Sequence, residues 1–371
     1  MAGIECTGEG IVYRNPVPHV HSTHAYFPSL VQASDGSIVA SMVLGAAFES
    51  PDLHSFVTRS ADLGQTWEPP QRLLAATRDR LTSDACRLTT MPGGELVAFI
   101  VRHDRTDHPD EGLANPDNLG FVPTELLLSR SADRGHTWSP PATITPPLVG
   151  PSFELCCPIV PLLDGRWLLP TSTWRGWDGQ CPNGMKMVAL VSRDRGRTWP
   201  IWREVMADPA GKVIYWESKI VELPDDRLLA TAWAYDEAAA ADLPNQYAIS
   251  EDGGATWTPP RSTGILGQTL TPLVLPQGGI LCVYRRMDEP GLWVSRCRLK
   301  AGEWLTEETV PLWGTRQGGL TATSTNMTHN FNVLRFGAPT LMARADGAVM
   351  GAFWCYEDWV SNIRWFTLRV S

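Results

Sequence analysis

Apolar residues along the chain fall in paired short runs, each pair broken at its centre by a tight-turn dipeptide. YFPSLVQASDGSIVASM (from 26), ACRLTTMPGGELVAFIV (85), LCCPIVPLLDGRWLLPT (155), SKIVELPDDRLLATAW (218), TPLVLPQGGILCVYR (271) and APTLMARADGAVMGAFW (338) share this form. Asp-Gly, Gly-Gly and Asp-Asp at the centres tolerate the positive φ that a two-residue hairpin turn requires. Six β-hairpins are therefore predicted.

Each of the first four hairpins is followed by a third short strand, such as HSFVTRS or TELLLSR, and then by an octapeptide. SADLGQTW, SADRGHTW, SRDRGRTW and SEDGGATW begin at 60, 131, 192 and 250, which is too long a spacing for a helical solenoid and suits a four-stranded blade. A polar, proline-bearing stretch after each octapeptide supplies an outer fourth strand. The fifth copy, VSRCRLKAGEW, is degenerate, and the sixth ends in IRWFTLRVS, one strand short. The N-terminal GIVYRNP is a spare strand. Paired beside the C-terminal strand, it completes the last blade. The expected fold is all-β: a six-bladed β-propeller of four-stranded antiparallel blades, residues 1–371 forming one domain.

Within the octapeptide the Asp carboxylate can accept backbone N–H groups of its own turn, Gly supplies a left-handed position, and Trp packs on the blade. Asp62, Asp133, Asp194 and Asp252 are accordingly read as structural. The octapeptides and the Asp-Gly turns share one end of the blades, so chemistry is expected at the other end, where first strands begin and second strands finish.

Composition narrows the partner. A charge of −9 without a basic run argues against nucleic acid and anionic membranes as partners. The N-terminus lacks a basic segment followed by an apolar run, and no window approaches 18 apolar residues; the expectation is a cytoplasmic protein, or a secreted one if a leader was removed. Eight cysteines without CxxC spacing read as reduced thiols. Asn326-Met327-Thr328 is a glycosylation sequon, read as idle in the absence of a secretion signal.

The four intact Ser-x-Asp-x-Gly-x-Thr-Trp motifs resemble the Asp-box of the sialidase superfamily, and with the hairpin repeat the resemblance covers nearly the whole chain. WESKIVELPDDRLLATAW (from 216) is similar to the sialidase stretch in which a glutamate precedes a Val-Glu-Leu-Pro-Asp-Gly hairpin. The resemblance places Glu217 where sialidases keep the glutamate that polarises a nucleophilic tyrosine; Tyr356 is the nearest counterpart of that tyrosine. Glu49 and Asp52 lie in the loop where sialidases keep an acid/base aspartate. Two departures stand out: Phe27 and Trp233 occupy positions at which sialidases carry carboxylate-clamping arginines. Aromatic rings there suit a neutral sugar.

The residues at the expected functional end are rich in acids, arginines and aromatics. Glu154 and Glu217 enter neighbouring blades at equivalent positions and are the expected catalytic pair, since glycoside hydrolysis needs one protonated and one ionised carboxyl group. The resemblance extends to six-bladed exo-arabinanase-type enzymes, which place two glutamates similarly. Asp84 is a third acid or substrate ligand with Arg87 as its companion. His24, Tyr26, Arg102, His103, Trp174, Arg175, Trp216, Arg285, Arg335 and Trp354 join Arg87 and Trp233 as expected substrate-binding residues.

The run HVHSTH, with His19, His21 and His24, would put imidazoles on one face of a strand, but no placed carboxylate or cysteine accompanies them, and no metal or cofactor is expected. The expected activity is that of an exo-acting glycosidase cleaving a terminal sugar from a carbohydrate substrate. Alternatives are a sialidase with arginines drawn from Arg87, Arg102, Arg285 and Arg335, a polysaccharide lyase using His24 or His103 with a tyrosine, and a non-catalytic carbohydrate-binding propeller.

Overall fold

A computed structural model describes residues 3–276, 278–316, 330, 331 and 333–371; the Asn326 sequon lies outside the described residues. Six antiparallel sheets, five of four strands and one whose first strand is split in two, make the six blades of an all-β propeller fold. By its backbone contacts the chain divides into two compact units: one holds residues 1–115, 122–144 and 335–371, the other 116–121 and 145–334.

The first unit contains the first, second and sixth sheets. Its first sheet runs His24–Gln32, Ile38–Gly45, His54–Ser60 and Gln71–Arg72, and its second Thr82–Thr90, Leu96–Asp104, Thr124–Ser131 and Ala142–Ile144. The sixth runs Phe336–Ala343, Val349–Glu357 and Val360–Val370, with Ile4–Tyr13 paired to Val360–Val370 as its outermost strand. The spare N-terminal strand thus completes the last blade, as expected.

The second unit contains the third, fourth and fifth sheets. The fourth runs Val213–Glu222, Leu228–Asp236, Ala241–Ser250 and Arg261–Ser262. The fifth runs Gly267–Val274, Ile280–Arg286, Leu292–Lys300 and Glu303–Trp313. In the third, the expected continuous first strand is split into Ser152–Phe153 and Val160–Pro161, both pairing with Trp167–Trp174. Pro158 and Pro161 explain the break, because proline donates no ladder hydrogen bond. Glu154 lies in this gap.

Blade middles are buried on both faces, so Ile38–Gly45, Trp167–Trp174 and Met187–Ser192 are buried throughout. Each sheet is packed against a neighbour. Val39 and Val57 meet Cys86, Leu88 and Leu96 between the first and second sheets, and Leu168 and Met187 meet Ile220 and Leu228 between the third and fourth. At about 1.5–3 kcal/mol for each fully buried large aliphatic side chain, these inter-sheet layers are the main apolar stabilisation.

The octapeptides behave as their sequence implies. In each copy Ser Oγ donates to Asp Oδ1 at 2.8 Å, and the Asp accepts the Thr N–H at 2.8–2.9 Å. The same Ser Oγ accepts the Gly N–H at 2.7–2.8 Å. These donors hold the Asp194 and Asp252 carboxyls down at about 2, led in each case by the Thr hydroxyl. Gly135 shows why the glycine is needed: its φ is +86°, and a Cβ there would stand 3.1 Å from Val39 of the preceding sheet. The turn is a spacer between blades.

Among the described residues, no helix is long and apolar enough to cross a membrane. Residues 19–21 precede the first strand rather than lying in it, so His19, His21 and His24 do not share a strand face; Pro16 and Pro18 just upstream limit strand pairing there.

Ser131 is 1% exposed and satisfies the Gly135 N–H. Ser131→Ala leaves that donor buried and unpaired, and is expected to lower unfolding stability by about 1–3 kcal/mol in urea titrations. An unchanged midpoint would mean that the turn does not depend on this bond.

Candidate functional site

The first strands of four sheets carry a bulge, between Tyr26 and Ser29, Trp216 and Lys219, Gln268 and Thr271, and Gly337 and Thr340. At the same place in each bulge a non-glycine residue has positive φ: Phe27 at 51°, Glu217 at 48°, Thr269 at 55° and Ala338 at 45°. Such conformations cost on the order of 1–3 kcal/mol each and persist only when surrounding structure enforces them. A bulge re-aims its side chain out of the ladder. Glu217 and Phe27 are therefore equivalent positions in their sheets.

In the second unit, Glu217 meets Glu154. Glu154 Oε2 accepts the Glu217 backbone N–H at 2.9 Å, while the Glu154 carbonyl accepts Thr171 Oγ1 at 2.8 Å. Burial, then the negative charge on Glu217, push the Glu154 carboxyl up to about 8. Lys219 Nζ donates to the Glu217 carbonyl at 3.0 Å and lies 3.3 Å from Glu217 Oε2, an ion pair that is largely buried. The two carboxyl groups thus have different surroundings. One is protonated at neutral pH, and the other has an ammonium group beside it.

A second layer surrounds this pair. Arg285 is 4% exposed; its Nε donates to Gln268 Oε1 at 3.0 Å, and burial lowers its guanidinium to about 10. Gln268 Nε2 donates to Asp242 Oδ2 at 2.9 Å, and Trp233 Nε1 to Asp242 Oδ1 at 2.6 Å. Burial raises the Asp242 carboxyl. Trp174 stacks on Trp216 with centroids 5.0 Å apart, and Trp216 meets Trp233 at 4.6 Å and Tyr235 at 5.7 Å. Arg175 is held by both Glu237 oxygens at 2.7 Å.

The first unit holds the other expected residues. Tyr26 and Tyr356 share a hydroxyl–hydroxyl bond of 2.5 Å, and burial, followed by that bond, raises the Tyr26 phenol well above its ordinary range. The Arg335 guanidinium carbon sits 5.5 Å from the Tyr356 ring centroid. His24 Nδ1 accepts the Ser361 N–H at 3.1 Å, and burial lowers its pKa, so the neutral ring carries its proton on Nε2. Trp354 is 1% exposed and lies edge-on to Tyr26 at 5.2 Å. It is packed core beneath the tyrosines.

Asp84 and Arg87 are not companions. Asp84 takes His54 Nδ1 at 2.8 Å and the Ser55 N–H at 2.8 Å, whereas Arg87 Nη1 donates to the carbonyls of Phe27 at 3.1 Å and Cys86 at 3.4 Å. Arg102 is 3.5 Å from Glu125. His103 is held neutral by burial, its pKa down at about 4. Asp52 caps its own loop through the Ala46 N–H and Ser50 Oγ, while burial raises Glu49 to about 7. Lys219, Asp242 and His54 escaped the sequence reading. Lys219, a lone ammonium two residues after a candidate acid in an otherwise apolar run, was the detectable one.

By sequence alone, neither a protein-family model nor a curated protein matches the chain. Solved structures do share its fold. One is a protein of unknown function from Dyadobacter fermentans, 19% identical over 100% of both chains, with a TM-score of 0.73. The NanB sialidase of Streptococcus pneumoniae is 11% identical, matching 97% of this chain and 70% of its own, with a TM-score of 0.67. The intramolecular trans-sialidase of Ruminococcus gnavus is 14% identical over 98% and 97% of the two chains, with a TM-score of 0.62. The fold is that of the sialidase-like six-bladed propellers.

The raised Glu154 carboxyl has a stability consequence. Its folded pKa of about 8 exceeds its ordinary 4.5, so the folded state holds a proton that the unfolded state releases between those values. Stability is therefore lost as pH rises through this window. The melting temperature is expected to fall from about pH 5 to pH 8, and less so in Glu154→Gln. Identical slopes in the two proteins would contradict the assignment.

Proposed function

We propose that this protein is an exo-acting glycoside hydrolase in which Glu154 is the general acid and Glu217 the nucleophile or general base. The observation that carries the reading is the carboxyl pair itself: Glu154, raised to about 8, touches the backbone of Glu217, whose own charge helps to raise it. Carboxyl groups pushed apart in this way divide the acid and base roles between them.

At neutral pH Glu154 carries a proton. Its Oε2 accepts the Glu217 N–H, which leaves the other oxygen to donate a proton to the glycosidic oxygen as the bond breaks. Glu217 attacks the anomeric carbon or activates a water molecule. Glu154, now ionised, returns as a base in the retaining case. Lys219 holds the Glu217 carboxylate in place, and Trp174, Trp216 and Trp233 pack as a buried aromatic cluster in the same unit.

Arginine usage weighs against a carboxylate clamp. Arg87 serves backbone carbonyls and Arg102 faces Glu125, while Phe27 stands at the bulge equivalent to Glu217. A neutral terminal sugar is the favoured substrate. A second reading, lyase chemistry, draws support from the Tyr26–Tyr356 hydroxyl pair with Arg335 beside it, since a tyrosine can take the proton α to a uronate carboxylate and a guanidinium can neutralise that carboxylate.

A panel of chromogenic glycosides and uronate polymers separates these readings. Glycoside turnover by the wild type is expected, with Glu217→Gln reduced by about 10³-fold or more in protein whose circular dichroism shows it still folded. Full activity in Glu217→Gln would discard the carboxylate mechanism. Products absorbing in the ultraviolet from uronate polymers alone would select the lyase.

A further inference from the structure

The hairpin turn joining the second and third strands of the sixth sheet carries Trp359, a residue with no part in the carboxylate mechanism. Glu357 and Val360 form its closing ladder pair, so Asp358 and Trp359 are its two central residues. Both have positive φ, 49° at Asp358 and 69° at Trp359. This is the pattern of the mirror-image hairpin turn, whose second position favours glycine because a residue with a Cβ is strained there. The fifth sheet follows that rule: between the paired Lys300 and Glu303 its turn is Ala301-Gly302, with φ of 51° and 80°. In the sixth sheet an indole stands where that glycine would.

Packing does not explain the choice. Trp359 is 94% exposed, and of the sixteen tryptophans in the chain every other one is buried or half-buried. A bulky residue held in a left-handed conformation with its ring in water gives the fold nothing in return. Strain of this kind persists where it presents a side chain to a ligand.

The turn is braced at its base. Arg14 Nη2 donates to Asp358 Oδ2 at 2.8 Å, and Arg364 Nε donates to Glu357 Oε1 at 2.9 Å. One ladder pair further down stand Tyr356 and Ser361, and the Ser361 N–H goes to His24 Nδ1 at 3.1 Å. The turn lies at the end of the sheet where the first strand begins, Phe336 pairing with Cys355. All of these residues belong to the first unit. Arg14 and Asp358 neutralise each other, so nothing on the turn selects a charged ligand. A single ring among charged side chains also falls far short of the roughly 1,000 Å² that a protein interface needs.

We infer that Trp359 is the platform of a carbohydrate-binding site on the first unit: the indole takes the C–H face of one neutral sugar ring in a glycan chain, and Arg14 and Asp358 offer hydrogen bonds to its hydroxyl groups. The choice of a sugar as occupant rests on the glycosidase reading above. The site itself needs no contact with the carboxyl pair.

Affinity electrophoresis through gels containing soluble arabinan, galactan, xylan or mixed-linkage β-glucan measures binding without turnover in wild type, Glu217→Gln, Trp359→Gly and Trp359→Phe. At least one polysaccharide is expected to retard wild type and Glu217→Gln alike. Trp359→Gly is expected to bind it about 10-fold more weakly or worse, with Trp359→Phe in between. The melting temperature of Trp359→Gly is expected to rise by about 1–3 °C, because glycine relieves the turn. Equal retardation of Trp359→Gly and wild type, or a wild type retarded by none of the four, would overturn the proposal. A melting temperature that falls together with binding would show that the ring serves the fold, and would overturn it as well. Glycoside turnover by a wild type that no gel retards leaves the carboxylate mechanism standing without this site. Retardation that is lost in Trp359→Gly, in a protein inert on every glycoside, keeps the site and discards the hydrolase.

Discussion

One hydrogen bond, from the Glu217 backbone N–H to Glu154 Oε2, joins the two features on which the candidate chemistry depends. The donor is available because the bulge between Trp216 and Lys219 removes Glu217 from the ladder. The acceptor can reach it because the first strand of the third sheet is interrupted at Glu154. A regular ladder at either place would have satisfied its backbone within its own sheet and kept the carboxyl groups apart.

The same bond explains how strain and electrostatics are balanced. Holding Glu217 at a φ of 48° is unfavourable, and so is burying the Glu154 carboxyl beside a negative charge. Protonating Glu154 relieves the second cost, and the N–H donated to Oε2 together with the Lys219 ammonium offsets the first. Behind them, the chain Trp233–Asp242–Gln268–Arg285 ties the buried aromatic cluster to a buried cation by successive hydrogen bonds. Removing any member would leave a neighbour's polar group unpaired, which is why such networks act as a unit.

Much of the architecture was legible because its signals are local. Each hairpin writes a turn dipeptide into the sequence, and each octapeptide writes a Ser, an Asp, a Gly and a Thr whose hydrogen bonds close within a few residues. Glu154 and Glu217 were reachable by counting from those landmarks. The bulges were not, because Phe27, Glu217, Thr269 and Ala338 adopt positive φ without the glycine that would announce it. The Asp84–His54 bond joins residues 30 apart in the chain on two different strands, so no spacing rule points to it, and Arg87 was the nearer but incorrect companion. Trp354 was read as a sugar platform from its position at a strand end; it is sealed beneath Tyr26, because an aromatic at that place can turn inward as readily as outward.

The central claim is that Glu154 keeps its proton at neutral pH because it is buried against Glu217. Titrating the side-chain carboxyl carbons of ¹³C-glutamate-labelled protein by NMR, with the Glu154 signal assigned by its loss in Glu154→Gln, tests this most directly. The account predicts a midpoint of about 8 for that signal. A midpoint near the ordinary 4.5 would mean that Glu154 is ionised under working conditions and cannot be the acid.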